Sequence, residues 1–352
     1  MCQHHPRNPL FCLIPPYLLD QIARHGSKTQ REAALRTRAK DTTFRSLRMA
    51  AQPAPVQARA ASAFVGKRRS IYSAEGGETL PGTLIRGEGQ KASGDAAVDE
   101  AYDGLGATYD FFYEVFDRNS IDDAGLALDA TVHFGQAYNN AFWNSAQMVF
   151  GDGDGQLFNR FTVALDVIGH ELAHGVTEDE ARLQYFNQSG ALNESMSDVF
   201  GTLIKQYARQ QPVEQADWLI GEGLFTKKIN GVALRSMKAP GTAFDDKLLG
   251  KDPQPGHMDD FVHTFDDNGG VHINSGIPNH AFYQVATRIG GFAWEAPGRI
   301  WYDSLRDPKL RPNSGFLRFA RITYEVAGRL YGAKSAEQKA VKQGWAAVGL
   351  KL

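Results

Sequence analysis

Cysteine is nearly absent from this chain of 352 residues: there are two, Cys2 and Cys12, both within the first twelve positions. If that opening segment is removed, the remainder can hold neither a structural disulfide nor a cysteine-ligated zinc. Long apolar runs are missing as well. No stretch reaches the roughly 18 apolar residues of a membrane-spanning helix, so no membrane partner is expected. The opening "MCQHHPRNPLFCLIPPYLLD" has only a short apolar patch, broken by Pro15 and Pro16 and followed by charge, which is not a secretory pattern. Export would need a route that the sequence does not reveal, with a cytoplasmic location as the alternative. Excess charge is lacking too, and a formal net charge of −2 argues against nucleic acid as a partner.

The charge that is present is unevenly placed. Residues 1–48 carry nine lysines and arginines against three acids, a net of +6, which leaves −8 for the rest. A basic leader is joined to an acidic body. With 42% hydrophobic and 22% charged residues the composition is globular, and the length allows two domains with separate cores. No internal repeat is evident.

Periodicity predicts helix over residues 15–48, interrupted near Gly26 and Ser27. The Ala-, Pro- and Arg-rich stretch "MAAQPAPVQARAASAFVGKRR" then suits an exposed, protease-sensitive linker. From Arg69 to Arg160 short apolar pairs between Gly and Pro clusters predict a β-rich region with one helix at "DAAVDEAYDGLGATYDFFYEVF". "AQMVFGDGDGQLFNRF" reads as strand, turn, strand; its "GDGDG" lacks the later glutamate of an EF-hand and is taken as a plain hairpin turn. Beyond Thr162 helices dominate, with "FTVALDVIGHELAHGVTE" as one, "NQSGALNESMSDVFGTLIKQYARQ" as the next, and others in the last eighty residues.

The chemistry concentrates in "VIGHELAHGVTEDE". His170 and His174, four apart on a helix, share a face and can point at one ion, while Glu171 projects beside it. Zinc takes neutral imidazole nitrogens and about three protein ligands. A carboxylate next to it can take a proton from water and pass it to a leaving amine. "NESMSD" supplies the third ligand, Glu194, on the following helix, with the Ser/Gly-containing "NQSGA" as the turn between the two. Asp198 shares Glu194's face and can bond the far nitrogen of a ligand histidine.

These blocks, with "LPGTLIRGEG", "YNNAFWNSAQMVFGDGDG", "LRSM" and "DNGGVHINSGIPNHAFY", resemble the thermolysin family of zinc metalloendopeptidases over Arg69–Leu352. The leader, with "IPPYLLDQIARHGS", resembles the short propeptide of the protealysin-like branch. The resemblance implies an α+β fold of two domains with the active-site helix between them: a propeptide over 1–50, a β-rich domain over 51–168 and a helical domain over 169–352. It implies one zinc held by His170, His174 and Glu194, with Glu171 as general base and Asp198 behind a ligand histidine. It also implies His272 and Tyr185 as oxyanion donors, worth about 3 kcal/mol each when preorganised, with Asp267 orienting His272. Asn140 and Ala141 match an edge strand that pairs with the substrate backbone, and Arg235 matches the arginine on a substrate carbonyl. Phe158, Phe161, Val167, Ile220, Leu224 and Leu234 match the pocket for the residue after the scissile bond, so a bulky hydrophobic side chain is expected there; core packing is the plainer role for the six.

One departure stands out. The family's paired calcium site uses a glutamate where this chain has Lys205, and Leu219 replaces a further acid, although Asp166, Asp217 and Glu222 remain. A lysine ammonium can take the cation's electrostatic place, so the double calcium site is expected to be lost. The expected protein is a self-processed, monomeric precursor that acts on proteins and peptides and is inhibited by its own propeptide. A zinc aminopeptidase is the rival enzyme, though no acidic motif for a substrate amine is apparent. A zinc-stabilised binding module would need Glu171, His272 or Tyr185 to be missing. The Cys12 thiolate capping the zinc is the rival to a stiff "IPPY" stretch blocking the cleft.

Overall fold

The structure, a computed structural model, describes residues 11–50 and 65–352. Cys2 and residues 51–64, which hold most of the expected linker and cleavage window, lie outside them. The leader starts with a two-residue strand, β1 (Phe11–Cys12), and continues as α1 (Pro16–His25) and α2 (Lys28–Ala50). Pro16 opens α1, where a missing N–H is harmless. The expected interruption at Gly26 and Ser27 is present: a Cβ at Gly26 would lie 2.6 Å from the Ile22 carbonyl.

The body begins with β2 (Arg69–Ser73) and β3 (Thr83–Gly87), then α3 (Ala96–Phe116), β4 (Leu128–Val132), β5 (Ala141–Trp143) and β6 (Met148–Phe150). Asp95 caps α3 by accepting from the Ala97 and Val98 amides at 2.9 and 3.3 Å. The strands form one six-stranded sheet in the order β1-β5-β6-β4-β2-β3, and the leader thus supplies an edge strand to the body's sheet. β1 is antiparallel to β5, with Phe11 opposite Trp143 and Cys12 opposite Phe142.

The second strand expected after "GDGDG" does not form. Asp154 Oδ1 accepts from the amides of Gln156, Leu157 and Phe158 at 2.7–3.1 Å, which curls the chain away from β6. Phe158 makes only an isolated bridge to Phe225. A 3-10 turn at Phe161–Val163 also separates the expected single helix from α4 (Leu165–Glu180).

α4 is buried over Asp166–Thr177, as a central helix must be. It crosses the expected domain boundary at 168/169 without a break. α5 (Asn187–Arg209) packs against it. The connecting turn is Ala181–Phe186, and "NQSGA" is the first turn of α5 instead. Gly190 there serves close packing, since a Cβ would meet the Tyr185 backbone at 2.9 Å and Val271 at 2.5 Å. The rest comprises two small sheets and five helices: β7 (Leu219–Ile220) with β8 (Arg235–Ser236), β9 (Asp245–Asp246) with β10 (Gly250–Lys251), then α6 (Asp267–Asn274), α7 (Gly276–Ile289), α8 (Ala296–Leu305), α9 (Phe316–Tyr331) and α10 (Ala336–Ala347).

Candidate active site

Two glycines bring α4 and α5 close enough to build the site. A Cβ at Gly201 would sit 2.4 Å from the Asp166 carbonyl, and one at Gly169 would sit 3.3 Å from Gly201 Cα. The close crossing sets His170 and His174 against Glu194, one ligand atom from each lying within 4.8 Å of the others. His170 Nδ1 is 2.8 Å from Asp198 Oδ1, and His174 Nδ1 is 2.8 Å from Asn193 Oδ1. Acceptors at both Nδ1 atoms require the protons there, leaving both Nε2 lone pairs pointing inward. These nitrogens are 3.1 Å apart, and Glu194 oxygens lie 3.6 and 3.5 Å from them. Glu194 Oε2 is buried with no hydrogen-bond donor among the described residues. Four electron-rich atoms converging in a buried space fit a cation, and two imidazoles with a carboxylate fit zinc. Burial and the facing His170 hold His174 well below the usual imidazole range, in the neutral form that ligates.

Asn193 was not anticipated from the sequence, although it stands in the same "NESMSD". Asp198 is fully buried and also accepts from Arg235 Nε and Nη2 at 2.9 and 2.8 Å and from Asn279 Nδ2 at 2.8 Å. Against burial, which pushes it up, Arg235 and His170 hold its carboxyl below the usual range.

Glu171 is also fully buried. Its Oε2 accepts from the Trp143 amide of β5 at 3.0 Å, while Oε1 has no donor among the described residues and is available for a proton. Burial and then Glu194 push its carboxyl well above the ordinary value. Ahead of His272, four successive residues, Asp267 to Gly270, adopt positive φ of 52, 52, 84 and 73°. Such a left-handed turn is costly for the two non-glycines. It lets Asp267 grip His272 twice, through the backbone amide at 2.8 Å and Nδ1 at 2.6 Å. Although burial opposes it, Asp267 and Glu194 raise the His272 pKa, which favours a donor at Nε2. Gln254 Nε2 holds the His272 carbonyl at 2.7 Å. The Tyr185 hydroxyl donates to Glu194 and lies 3.1 Å from His272 Nε2.

The leader runs through this cleft in β1 and the residues just after it. The Cys12 carbonyl accepts from His272 Nε2 at 3.0 Å. The Leu13 amide donates to the Ala141 carbonyl at 3.2 Å, and its carbonyl lies 3.5 Å from Arg235 Nη1. The Ile14 amide donates to Asn140 Oδ1 at 2.9 Å. Leu13 and Ile14 are fully buried, as are Phe158, Phe161, Val167, Ile220 and Leu224, with Leu234 2% exposed. On the side of Cys12 away from Leu13 the pairing with β5 goes on through Phe11, opposite Trp143. The Cys12 side chain packs with Phe134, Tyr138, Phe142 and Val149, a cluster separate from the core that holds the histidine helix. That placement speaks against the thiolate cap.

The leader grips the cleft at a second place. Asp41, 4% exposed, accepts from Asn140 Nδ2 at 2.9 Å and from the Tyr138 hydroxyl, and Thr37 Oγ1 accepts from the Asn139 amide at 3.1 Å. Nearby, Lys40 pairs with Glu78 at 2.7 Å. Nothing in the sequence pointed to Thr37 or Asp41, whose partners lie about 100 residues away.

Behind the metal site, Lys205 Nζ donates to Asp166 Oδ2 and Asp217 Oδ1 at 2.8 Å and to the Leu219 carbonyl at 2.7 Å. The expected third carboxylate is not among its partners: Glu222 faces Arg209 instead, at 4.0 Å. Burial works against the lysine's charge, but Asp166 and Asp217 outweigh it and raise its pKa.

Two family models match the chain, "Thermolysin metallopeptidase, catalytic domain" over residues 29–178 and "Thermolysin metallopeptidase, alpha-helical domain" over 181–350. The chain is 54% identical over 344 residues to an extracellular metalloprotease of Pectobacterium carotovorum subsp. carotovorum, covering 98% of this chain and 97% of that protein. It is 50% identical over 344 residues to protease PrtS of a Photorhabdus species, covering 97% and 92%. Its fold is similar to that of the precursor of protealysin, a metalloproteinase from Serratia proteamaculans, with a TM-score of 0.87 and 54% identity over 97% of this chain and 99% of that one. With the converging histidines and the carboxylates around them, these similarities have one reading: the chain belongs to the thermolysin family of zinc metalloendopeptidases, in the protealysin-like branch made as a precursor.

Proposed function

We propose that this endopeptidase cleaves before bulky hydrophobic residues and that its leader blocks the cleft as a substrate mimic until it is removed. The observation that carries this reading is the register of the leader, in which the Cys12 carbonyl meets His272, Leu13 meets Ala141 and Arg235, and Ile14 meets Asn140. Zinc, held by His170, His174 and Glu194, supplies a Lewis acid that polarises a carbonyl and makes water acidic near neutral pH. Glu171 Oε1 takes the proton from the attacking water and delivers it to the leaving nitrogen. Asp198 fixes the tautomer of His170, and Asn193 that of His174. His272 Nε2, held by Asp267, donates to the oxygen that becomes negative, and Tyr185 adds a second donor when it turns from Glu194. Asn140, Ala141 and Arg235 align the substrate backbone, and Leu13 marks the pocket formed by Phe158, Phe161, Val167, Ile220, Leu224 and Leu234.

His272→Ala is expected to lower kcat about 100- to 1000-fold with little change in KM, because its hydrogen bond strengthens only as charge develops. Steady-state kinetics on an internally quenched peptide with leucine after the scissile bond decides this. An unchanged kcat removes His272 from the mechanism. Loss of cleavage in a chelator, with recovery on adding zinc, tests the reading as a whole.

In the leader, the stiff Pro15–Pro16 pair keeps the strand extended at low entropy cost. Asp41 ties it to Asn140. Asp41→Ala leaves two buried donors without an acceptor, at about 1–3 kcal/mol for such a group, and is expected to hasten maturation. Replacing Pro15 and Pro16 by alanine should do the same or disturb folding, whereas Cys12→Ser should change little. Mass spectrometry alongside an activity time course reads this out, with activity rising as the intact chain disappears through cleavage between about Arg45 and Lys67. Full activity from an uncleaved chain overturns the inhibitory role.

The division into a leader over 1–50, a β-rich unit over 51–168 and a helical unit over 169–352, the latter two sharing α4, belongs to the same proposal, as does a monomeric state. A relative named as extracellular supports export of the mature enzyme, by a route without a recognisable signal. No helix among the described residues is long and apolar enough to cross a membrane.

A further inference from the structure

Beyond Ile14 the leader leaves the cleft through Pro15 and turns into α1 at Pro16. At that exit, between leader and body, lies a cavity of about 530 Å³. Pro16, Tyr17 and further residues of α1 and α2 line it from the leader side, and the loop from Val262 to Asn268, with Phe265 in it, lines it from the body. Phe265 is 96% exposed, far more than any other large apolar side chain described, the next being Val232 at 61%. A single exposed apolar residue is ordinary on a protein surface. This one stands at the mouth of the peptide channel on a loop tied at both ends. Asn274 accepts from the Val262 amide and donates to the Val262 carbonyl, both at 2.9 Å, while the Asp266 carbonyl accepts from the Gly269 and Gly270 amides at 3.0 and 2.9 Å. The same loop leads into Asp267 and His272. The leader turns into a helix at this point and leaves the ring uncovered.

We propose that Phe265 and its loop form an extended substrate subsite that receives an aromatic side chain at the fourth position after the scissile bond. The inference rests on the reading that the leader lies in the direction of a substrate. In that register Leu13 is the first residue after the bond and Pro16, which lines the cavity, is the fourth. Removal of the leader frees Phe265 together with the rest of the cleft. A substrate that stays extended past its third residue runs along Val262–Phe265, where ring stacks on ring and both leave water. Specificity in the mature enzyme is therefore set at two places along the peptide, the buried pocket of Leu13 and this open ring.

The test compares two internally quenched peptides, identical from the third residue before the bond to the third after it, with Phe or Ala at the fourth. Burial of one aromatic pair predicts that the mature enzyme prefers Phe about ten-fold in kcat/KM. The ratio is taken within each protein, so differences in folded fraction cancel. It should fall to near one in Phe265→Ala and persist in Phe265→Tyr. Cleavage of both peptides with a flat ratio in the parent enzyme, or a ratio that survives Phe265→Ala, overturns the subsite and leaves the peptidase reading intact. A third peptide with Phe at the fourth position before the bond checks direction; a preference there overturns both the register and the subsite. Absence of chelator-sensitive cleavage of any of the peptides overturns the peptidase reading and the subsite together.

Discussion

Glu171→Gln is expected to abolish peptide hydrolysis while leaving the fold and the zinc content intact. Glutamine keeps an oxygen for the Trp143 amide, which now meets Glu171 Oε2 at 3.0 Å, so the side chain can remain in place. What disappears is the ability of the other terminal atom to take a proton. His170, His174 and Glu194 are untouched, and so are Asp198 and Asn193 behind them. Losing a positioned general base lowers turnover about 100- to 10,000-fold. Metal analysis, thermal unfolding and turnover on one preparation decide the matter. Near-normal turnover at full zinc occupancy would falsify the assignment, and loss of zinc would mean that Glu171 supports the metal site rather than the proton transfer. The substitution should also leave the precursor unable to process itself, a second readout on the same sample.

Lys205→Ala is expected to destabilise the body by about 3–5 kcal/mol, the usual cost of removing one partner from a buried ion pair. The ammonium is 2% exposed and meets Asp166, Asp217 and the Leu219 carbonyl. Its loss strands Asp166, itself 1% exposed, beside Asp217. Because Lys205 has a raised pKa in the folded state, its contribution is complete below the unfolded lysine value of about 10.4 and is lost as pH rises through the higher folded value. Stability should therefore be flat in this term across neutral pH and fall in strong alkali, more steeply than in Lys205→Ala. With the cation built into the chain, a calcium-selective chelator should leave the parent's unfolding temperature unchanged when zinc is retained. Lys205→Glu removes the ammonium and adds a carboxylate; it should be unstable alone and partly rescued by calcium through mass action. A large calcium effect on the parent, traced to Asp166 or Asp217 by substitution, would show that the lysine does not replace the ion.

Both sites were legible to different depths. Lys205 was visible as an odd residue at a matched position, but its partners were not all foreseen. Glu222 turned to Arg209, and a backbone carbonyl took its place, because the ammonium is satisfied by the groups nearest to it. The "NQSGA" block has the composition of a turn, but its glycine serves helix packing. Small residues at turns and at close helix crossings look alike in one dimension. The "GDGDG" segment carries a hairpin's turn residues and apolar flanks, and that pattern does not register the three amides that Asp154 gathers.

By itself the sequence determined what depends on local geometry. Four-residue spacing puts His170 and His174 on one helix face whatever surrounds them, and Glu194 and Asp198 share a face for the same reason. The two leader helices with their break, and α3, followed from short-range periodicity and residue type, whereas the ordered blocks were legible as a resemblance to the family. Only the tertiary structure decided which distant groups complete those local arrangements. Asn193 behind His174, the Trp143 amide on Glu171, Gln254 on the His272 carbonyl, Asp41 on Asn140 and the carbonyl of Cys12 on His272 join residues between 18 and 260 positions apart. Pairings of this kind come from how buried surfaces meet. A hydrogen bond gains most where water is excluded, and exclusion belongs to the assembled core rather than to any stretch of chain.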